Sequence, residues 1–327
     1  MTISINTQLP SLRQLPENYL IQLSDFSAIT LSGEDKVKYL QGQVTCDVQQ
    51  VTENTLLNGA HCDAKGKVYS VFRLFQRNSA LWLLQPKTTL PYSLTALKKF
   101  GVFAKVTIEE QQNNICYALI GKQASHLLKK YFSQVPDSMT PVVQCNTTTI
   151  IYIASSSETE QYLIIDNSEQ LAALNNTFSL PIFTQALWHL HEILAGFPLL
   201  NEQAIEEYVP QMLNIQAING ISFTKGCYLG QETVARMQYL GRNKRALFIL
   251  SGHCNEQINL EAIIEQQLGD NWRSAGKLLS FYQADNGDFY LQAVLANNIE
   301  GKLRLQTQST SIEELSLIDL PYSLKQN

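Results

Sequence analysis

The sequence contains no run of eighteen apolar residues, so no stretch of it is suited to span a bilayer as a helix. Residues 1–20 are polar, carry Pro10 and Pro16, and lack a basic segment followed by an apolar one. A signal peptide is therefore not expected, and the product is expected to stay in the cytoplasm. Metal-ligand spacing is missing too. None of the six cysteines pairs as C-x-x-C and the five histidines are scattered, so neither a zinc site nor a self-contained cluster site follows from spacing. In a long, unexported chain those thiols are expected to be reduced. Positive charge is short as well: Lys plus Arg is 24 against 29 for Asp plus Glu, a formal charge of -5. The protein as a whole is not drawn to phosphate backbones, and any RNA contact needs a local basic patch or a partner.

What is present is length and apolar content. With 327 residues, 45% of them apolar, the chain can bury a large core and is too long for one compact unit; two or three domains are expected. Residues 20–31 alternate loosely and read as one strand ending at Ser32 and Gly33, and residues 34–41 read as a short helix. Residues 56–62 and 67–75 read as a β-hairpin around Asp63-Ala64-Lys65-Gly66, with Gly66 at the position needing positive φ. A strand over 80–84 and a helix over 90–100 follow. From about Cys116 the pattern restarts, with strands at 115–120, 149–154 and 162–165, helices at 125–132 and 169–175, and a loop at Ser155, Ser156 and Ser157. Two α+β units are predicted. Phe183, Leu187, Leu190, Leu194 and Phe197 make one apolar face, predicting a helix over 182–197 that Gly196 and Pro198 end. Beyond Gly241, short β-like runs alternate with turn signals at Ser251-Gly252, Gly269-Asp270, Asp285-Asn286-Gly287 and Asn297-Asn298, predicting a small all-β domain, a barrel among the options.

The chemical signal sits at residues 219–236, NGISFTKGCYLGQETVAR. Gly226 and Gly230 bracket Cys227, Lys225 lies two residues before it, and a helix pattern with Glu232 in its first turn begins just after. A thiol ahead of a helix N-terminus and near a lysine has its thiolate favoured twice over, which makes it a better nucleophile or soft-metal ligand. The competing reading is that Cys227 is a small buried filler beside a glycine-rich turn. Asp63 sits where a hairpin turn favours Asp, and that turn role is the preferred reading of it.

Lys225-Gly226-Cys227-Tyr228-Leu229-Gly230-Gln231-Glu232 resembles the K-G-C-[FY]-x-G-Q-E signature of the YgfZ family. Gln41-Gly42-Gln43-Val44-Thr45, the hairpin from Ala60 to Lys67, Ala195-Gly196-Phe197-Pro198 and Leu320-Pro321-Tyr322 agree with it, so the resemblance covers nearly the whole chain. It implies the fold of the glycine-cleavage T-protein, a tetrahydrofolate-dependent aminomethyltransferase: α+β class, two α+β domains and a C-terminal β-barrel domain around a central folate site. Residues 1–114 with 182–240 would form the first domain, 115–181 the second and 241–327 the barrel. The cofactor implied is folate, as tetrahydrofolate or a derivative. The family's two folate-contacting tryptophans fall on Trp188 and on a position held here by Phe26, which can stack on a pterin but lacks the indole N–H. The family's acid on the third strand is missing, since residues 84–93 contain no carboxylate. Asp63 is the fallback.

The resemblance implies a folate-binding accessory protein that supports iron–sulfur enzymes, including tRNA-thiomethylating radical enzymes, and thereby affects tRNA modification and regulation of replication initiation. Cys227 would be the reactive thiol, a candidate transient cluster ligand, with Lys225 beside it. No resident metal and no membrane partner are implied. The alternative is a tetrahydrofolate-dependent one-carbon transferase or demethylase. Arg236, Arg242, Lys244 and Arg245 have three readings: a cradle for the folate glutamate tail, a phosphate contact for RNA, or a solvated basic edge. The tRNA link would run through the client enzymes.

Overall fold

The computed structural model describes residues 4–154, 159–241 and 243–324. The loop expected at Ser155, Ser156 and Ser157, and the basic Arg242, lie outside them. Three sheets make the frame. The first has five strands in the order Leu57–Cys62, Val68–Arg77, Ala80–Pro86, Phe26–Ser32, Thr107–Glu110. Its hairpin turn is built as its residues dictate. The Asp63 carboxylate accepts the amides of Lys65 (2.9 Å) and Lys67 (2.7 Å), and Gly66 takes φ of 76°. The helix Leu90–Phe100, with Pro91 in its first turn and Gly101 at its end, lays Leu90 and Leu97 on Leu31, Phe72 and Leu83 of this sheet.

The second sheet has six strands in the order Ile182–Phe183, Asn18–Gln22, Ile115–Gly121, Glu160–Asp166, Thr148–Ile153, Val142–Cys145. Its outer face takes the helices Ala124–Lys129 and Ser168–Phe178 against Leu20, Leu119 and Ile164. The intervening residues Ile21, Ala118 and Leu163 point the other way, into a core shared with Ala28, Phe75 and Leu84 of the first sheet.

Two expectations are corrected here. Residues 20–31 are two strands, because Leu23 to Asp25 turn the chain, Phe26 N–H donating to the Leu23 carbonyl. The first of the two, Asn18–Gln22, joins the six-stranded sheet, as does Ile182–Phe183, with Leu20 opposite Ile182 and Ile21 opposite Phe183 in parallel. The sheets therefore exchange chain at both ends of the middle unit. The helix expected over 182–197 runs only over Ala186–Leu194, its first residues having been taken by that strand.

The third sheet has seven strands in the order Ser311–Glu313, Leu303–Gln306, Ile263–Leu268, Asn271–Gln283, Asp288–Ala296, Arg245–His253, Ser316–Ile318. It curls as a half-barrel over Ile264, Leu278, Phe289, Leu291 and Leu305. Three of the four expected turns are turns, but Ser251 and Gly252 lie within a strand. A Cβ at Gly252 would come within 2.4 Å of the Phe289 ring, so the glycine answers a packing need rather than a bend.

Ala186–Leu194 stands where the three sheets meet. Leu187, Trp188, Leu190, His191, Glu192 and Ile193 are all buried, so this helix is enclosed on every side. Glu192 pairs with Arg73 of the first sheet, two hydrogen bonds of 2.7 and 2.9 Å between side chains 1% and 6% exposed. Tyr19 Oη of the second sheet lies 2.8 Å from His191 Nε2. Gln292 of the third sheet donates to the carbonyls of Phe197 (2.9 Å) and Glu192 (3.3 Å).

Candidate functional site

At the N-terminal end of that helix a cavity of about 690 Å³ opens between the sheets, within the size range of small-molecule sites. Pro86, Lys87 and Thr88, at the end of the middle strand of the five-stranded sheet, close one side. Gln185 and His189 come from the central helix and its cap. Leu279 and Tyr282 of the curled sheet form the apolar wall opposite. Asp25 reaches in from the turn between the strands Asn18–Gln22 and Phe26–Ser32.

The polar groups are tied together. Gln185 Nε2 donates to Asp25 Oδ2 (3.2 Å) and lies 3.3 Å from His189 Nε2, while its Oε1 accepts the Asp25 amide at 2.5 Å. Burial lowers the His189 pKa, with Asp25 pulling the other way, so at neutral pH the imidazole is largely uncharged. Lys87 Nζ donates to the Ser24 carbonyl at 2.7 Å. Residues 84–93 do lack a carboxylate, and Asp25 supplies one in this cavity. No sequence signal marked Asp25; it shows only once the strand break at Leu23 to Asp25 is seen.

The expected aromatic contacts sit differently. Trp188 is 1% exposed and Phe26 is buried, both in the shared core, and neither lines this cavity, whereas their chain neighbours Asp25 and His189 do. Trp188 Nε1 is buried with no hydrogen-bond partner among the described residues. Asp63 is engaged in its hairpin turn.

The signature segment lies on the hairpin of the five-stranded sheet. Gly230 takes φ of 82° as the cap of the helix Gln231–Tyr239, and a Cβ there would fall 2.5 Å from the Asp63 carbonyl oxygen and 2.8 Å from Gly66 Cα. Cys227 is exposed, so it is not the buried filler of the competing reading. Lys225 is anchored inward: its ammonium donates to the carbonyls of Val44 (2.8 Å) and Cys46 (2.7 Å) and lies 5.1 Å from the Tyr228 ring centre. Burial lowers its pKa to about 8. Its charge opposes the burial that pushes the Cys46 thiol up to about 12, a different cysteine from the one expected. Arg236 pairs with Glu232 at 2.7 Å on the exposed face of its helix. Arg245 donates to the carbonyls of Val294 (3.0 Å) and Ala275 (3.4 Å), leaving Lys244 as an exposed cation of the expected cluster.

The two glycines beside Cys227 therefore differ, and substitution separates them. Gly230→Ala must adopt a left-handed backbone and displace the hairpin carbonyl, and is expected to lose roughly 2–4 kcal/mol of stability. Gly226→Ala meets nothing within 4 Å and is expected to melt like the parent protein. Thermal melts of the two variants check this; equal losses would mean that the glycine packing on the hairpin is not what holds the loop.

Three comparisons place the molecule among known proteins. Over 325 residues, the chain is 57% identical to the tRNA-modifying protein YgfZ of Colwellia psychrerythraea, covering 99% of both chains. It is 41% identical to the protein of that name from Vibrio atlanticus, over 95% of this chain and 94% of the other, and 39% identical to that from Yersinia pestis, over 94% and 93%. The model of the YgfZ beta-barrel domain matches residues 243–309. Among solved structures, glycine cleavage system aminomethyltransferase T from Bartonella henselae superposes with a TM-score of 0.71 at 14% identity, over 93% of this chain and 86% of that one.

Proposed function

Because the chain belongs to the YgfZ family, we propose that it is a folate-binding accessory protein of tRNA modification, acting by supporting iron–sulfur enzymes that modify tRNA. The observation that carries the reading is the cavity at the N-terminal end of the central helix, whose lining complements a reduced pterin. The amino-pyrimidinone edge offers N–H donors and a carbonyl acceptor. The Asp25 carboxylate, oriented by Gln185, answers the donors. Leu279 and Tyr282 give the apolar contact a ring system needs, and Lys87 stands where it can answer a glutamate carboxylate. When bound, folate would supply one-carbon chemistry; the side chains named here would hold and orient it. Cys227 is exposed on its loop, which suits a thiol that meets a client enzyme rather than one that packs.

Tetrahydrofolate is expected to bind in a calorimetric titration, and Asp25→Asn to weaken it about tenfold to a hundredfold, the loss of one charged hydrogen bond. Trp188→Phe, set behind the cavity wall, is expected to change binding far less. No heat of binding at millimolar folate would end the folate reading. Cys227→Ala should bind folate normally and fail to sustain tRNA thiomethylation in cells. The second reading, a one-carbon transferase or demethylase, is favoured by the Asp25 carboxylate in the cavity. Its test is formation of 5,10-methylene-tetrahydrofolate from methylated amines.

A further inference from the structure

A second cavity, of about 390 Å³, lies on the other side of the signature helix, where its C-terminal end meets the segment Pro210–Leu213 and the first strand of the curled sheet. Its lining is unusual. Gln211, Asn214, Gln216, Gln238, Asn243 and Asn297 all contribute carboxamides, Met237 and Phe248 contribute apolar surface, and no ionisable side chain is among the described lining residues. Among the described residues the lining is polar without being charged. It can read the edge of a neutral heterocycle, and carboxamides against a flat apolar flank are what nucleobase recognition uses.

Two of these side chains carry an unanswered demand. Gln211 is 3% exposed, and its Nε2 donates to the Val234 carbonyl at 2.6 Å, which fixes the amide orientation and leaves Oε1 as a buried acceptor with no partner among the described residues. Gln216 Oε1 is likewise buried and without a partner. A buried acceptor lacking a donor costs about 1–3 kcal/mol, so a ligand bringing N–H groups is favoured there. Several of the neighbouring amide donors are engaged: Asn214 Nδ2 with the Leu247 carbonyl, Asn243 Nδ2 with the Gln211 carbonyl, Asn297 Nδ2 with the Asn243 carbonyl. The described lining therefore has acceptors to offer and asks its ligand for donors. Next in the chain to the lining residues Gln238 and Asn243, Tyr239 is 71% exposed and Lys244 is exposed, a ring able to stack on a neighbouring base and a cation able to meet a phosphate.

We infer that this cavity binds an amino-bearing nucleobase, cytosine, adenine or guanine, presented by a single RNA strand or as a free nucleoside. Gln211 and Gln216 accept the two hydrogens of the exocyclic amine, and Phe248 and Met237 flank the ring. This goes beyond the folate reading and does not depend on it, because the two cavities share no lining residue.

The test uses the full chain in a nucleoside titration followed by NMR of the glutamine side-chain amides. Cytidine and adenosine are expected to shift the Gln211 and Gln216 amide signals saturably. Uridine, with a carbonyl where cytidine has its amine, is expected to bind about tenfold more weakly. Gln216→Leu should weaken cytidine about tenfold while leaving tetrahydrofolate titration unchanged. Oligocytidine binding more tightly than cytidine identifies an RNA strand as the source; binding no tighter identifies the free nucleoside. Absence of saturable shifts with every nucleoside at millimolar concentration, or equal binding of uridine and cytidine, overturns the assignment. The wild-type comparison of cytidine with uridine decides the matter even if Gln216→Leu fails to fold.

Discussion

Arg73→Leu is expected to lower the unfolding free energy by about 3–5 kcal/mol, the loss found when one partner of a buried ion pair is removed. The pair crosses from the five-stranded sheet to the central helix, and both side chains are almost wholly out of water. Leucine leaves the Glu192 carboxylate buried with nothing to neutralise it. It also removes the guanidinium that lies 3.9 Å from the ring centre of Phe197 and 5.9 Å from that of Trp188. The attraction within the intact pair is offset by the cost of drying both charges, so the expected loss comes mainly from the stranded partner. Replacing both residues, Arg73→Met with Glu192→Leu, should therefore recover most of the stability. Denaturant unfolding of the single and double variants is the measurement. A double variant as unstable as the single one would show that the ion pair itself, not the orphaned charge, dominates.

Acid should unfold the protein well before its carboxylates are titrated. His61 lies beneath the helix Leu90–Phe100, its Nδ1 2.9 Å from Ser93 Oγ and its Nε2 buried with no partner among the described residues. Burial lowers its pKa from 6.5 to about 3, and that of His191 to about 4. Both rings are held neutral by the fold, while the unfolded chain takes up their protons near pH 6.5. Stability is then complete above that pH and falls as the pH drops towards about 4, where folded His191 begins to accept its own proton. Each histidine contributes a slope of about 1.4 kcal/mol per pH unit across this window. Two acting together amount to several kcal/mol, comparable to the whole stability of many proteins. Melting temperature measured across the window should drop steeply, and more gently in His61→Gln. A flat profile would mean that these rings are reached by water in solution.

Much of the architecture could be read along the chain because local rules and tertiary packing agree there. The helix Leu90–Phe100 has its predicted bounds, since Pro91 opens it, Gly101 ends it and its apolar face has one sheet to cover. The hairpin was legible because Asp63 and Gly66 do locally what their chemistry prefers. Trp188 was not. A residue off the main apolar stripe of a surface helix would face solvent or a ligand, but this helix has neighbours on all sides, so the stripe carried no information about exposure. The cavity was invisible for a different reason: Asp25, Lys87, His189 and Tyr282 are brought together only by the folded chain. Lys225 was paired with Cys227 on spacing alone, and spacing says nothing of the inward carbonyls of Val44 and Cys46 that hold it.

The pairing of Asn18–Gln22 with Ile182–Phe183 has a consequence for how the molecule can be made. A chain emerging from the ribosome carries Leu20 and Ile21 from the outset; Leu119 and Ala118 pair with them on one side, but the strand on their other side does not exist until residue 183 has been synthesised. The six-stranded sheet is thus completed last at the edge beside its N-terminal strand, which keeps one side open until then. A truncated product ending short of Ile182 would keep that strand's open side available to any other extended segment. Cutting the protein into independent modules at residue 114 or 181 should accordingly yield aggregating fragments.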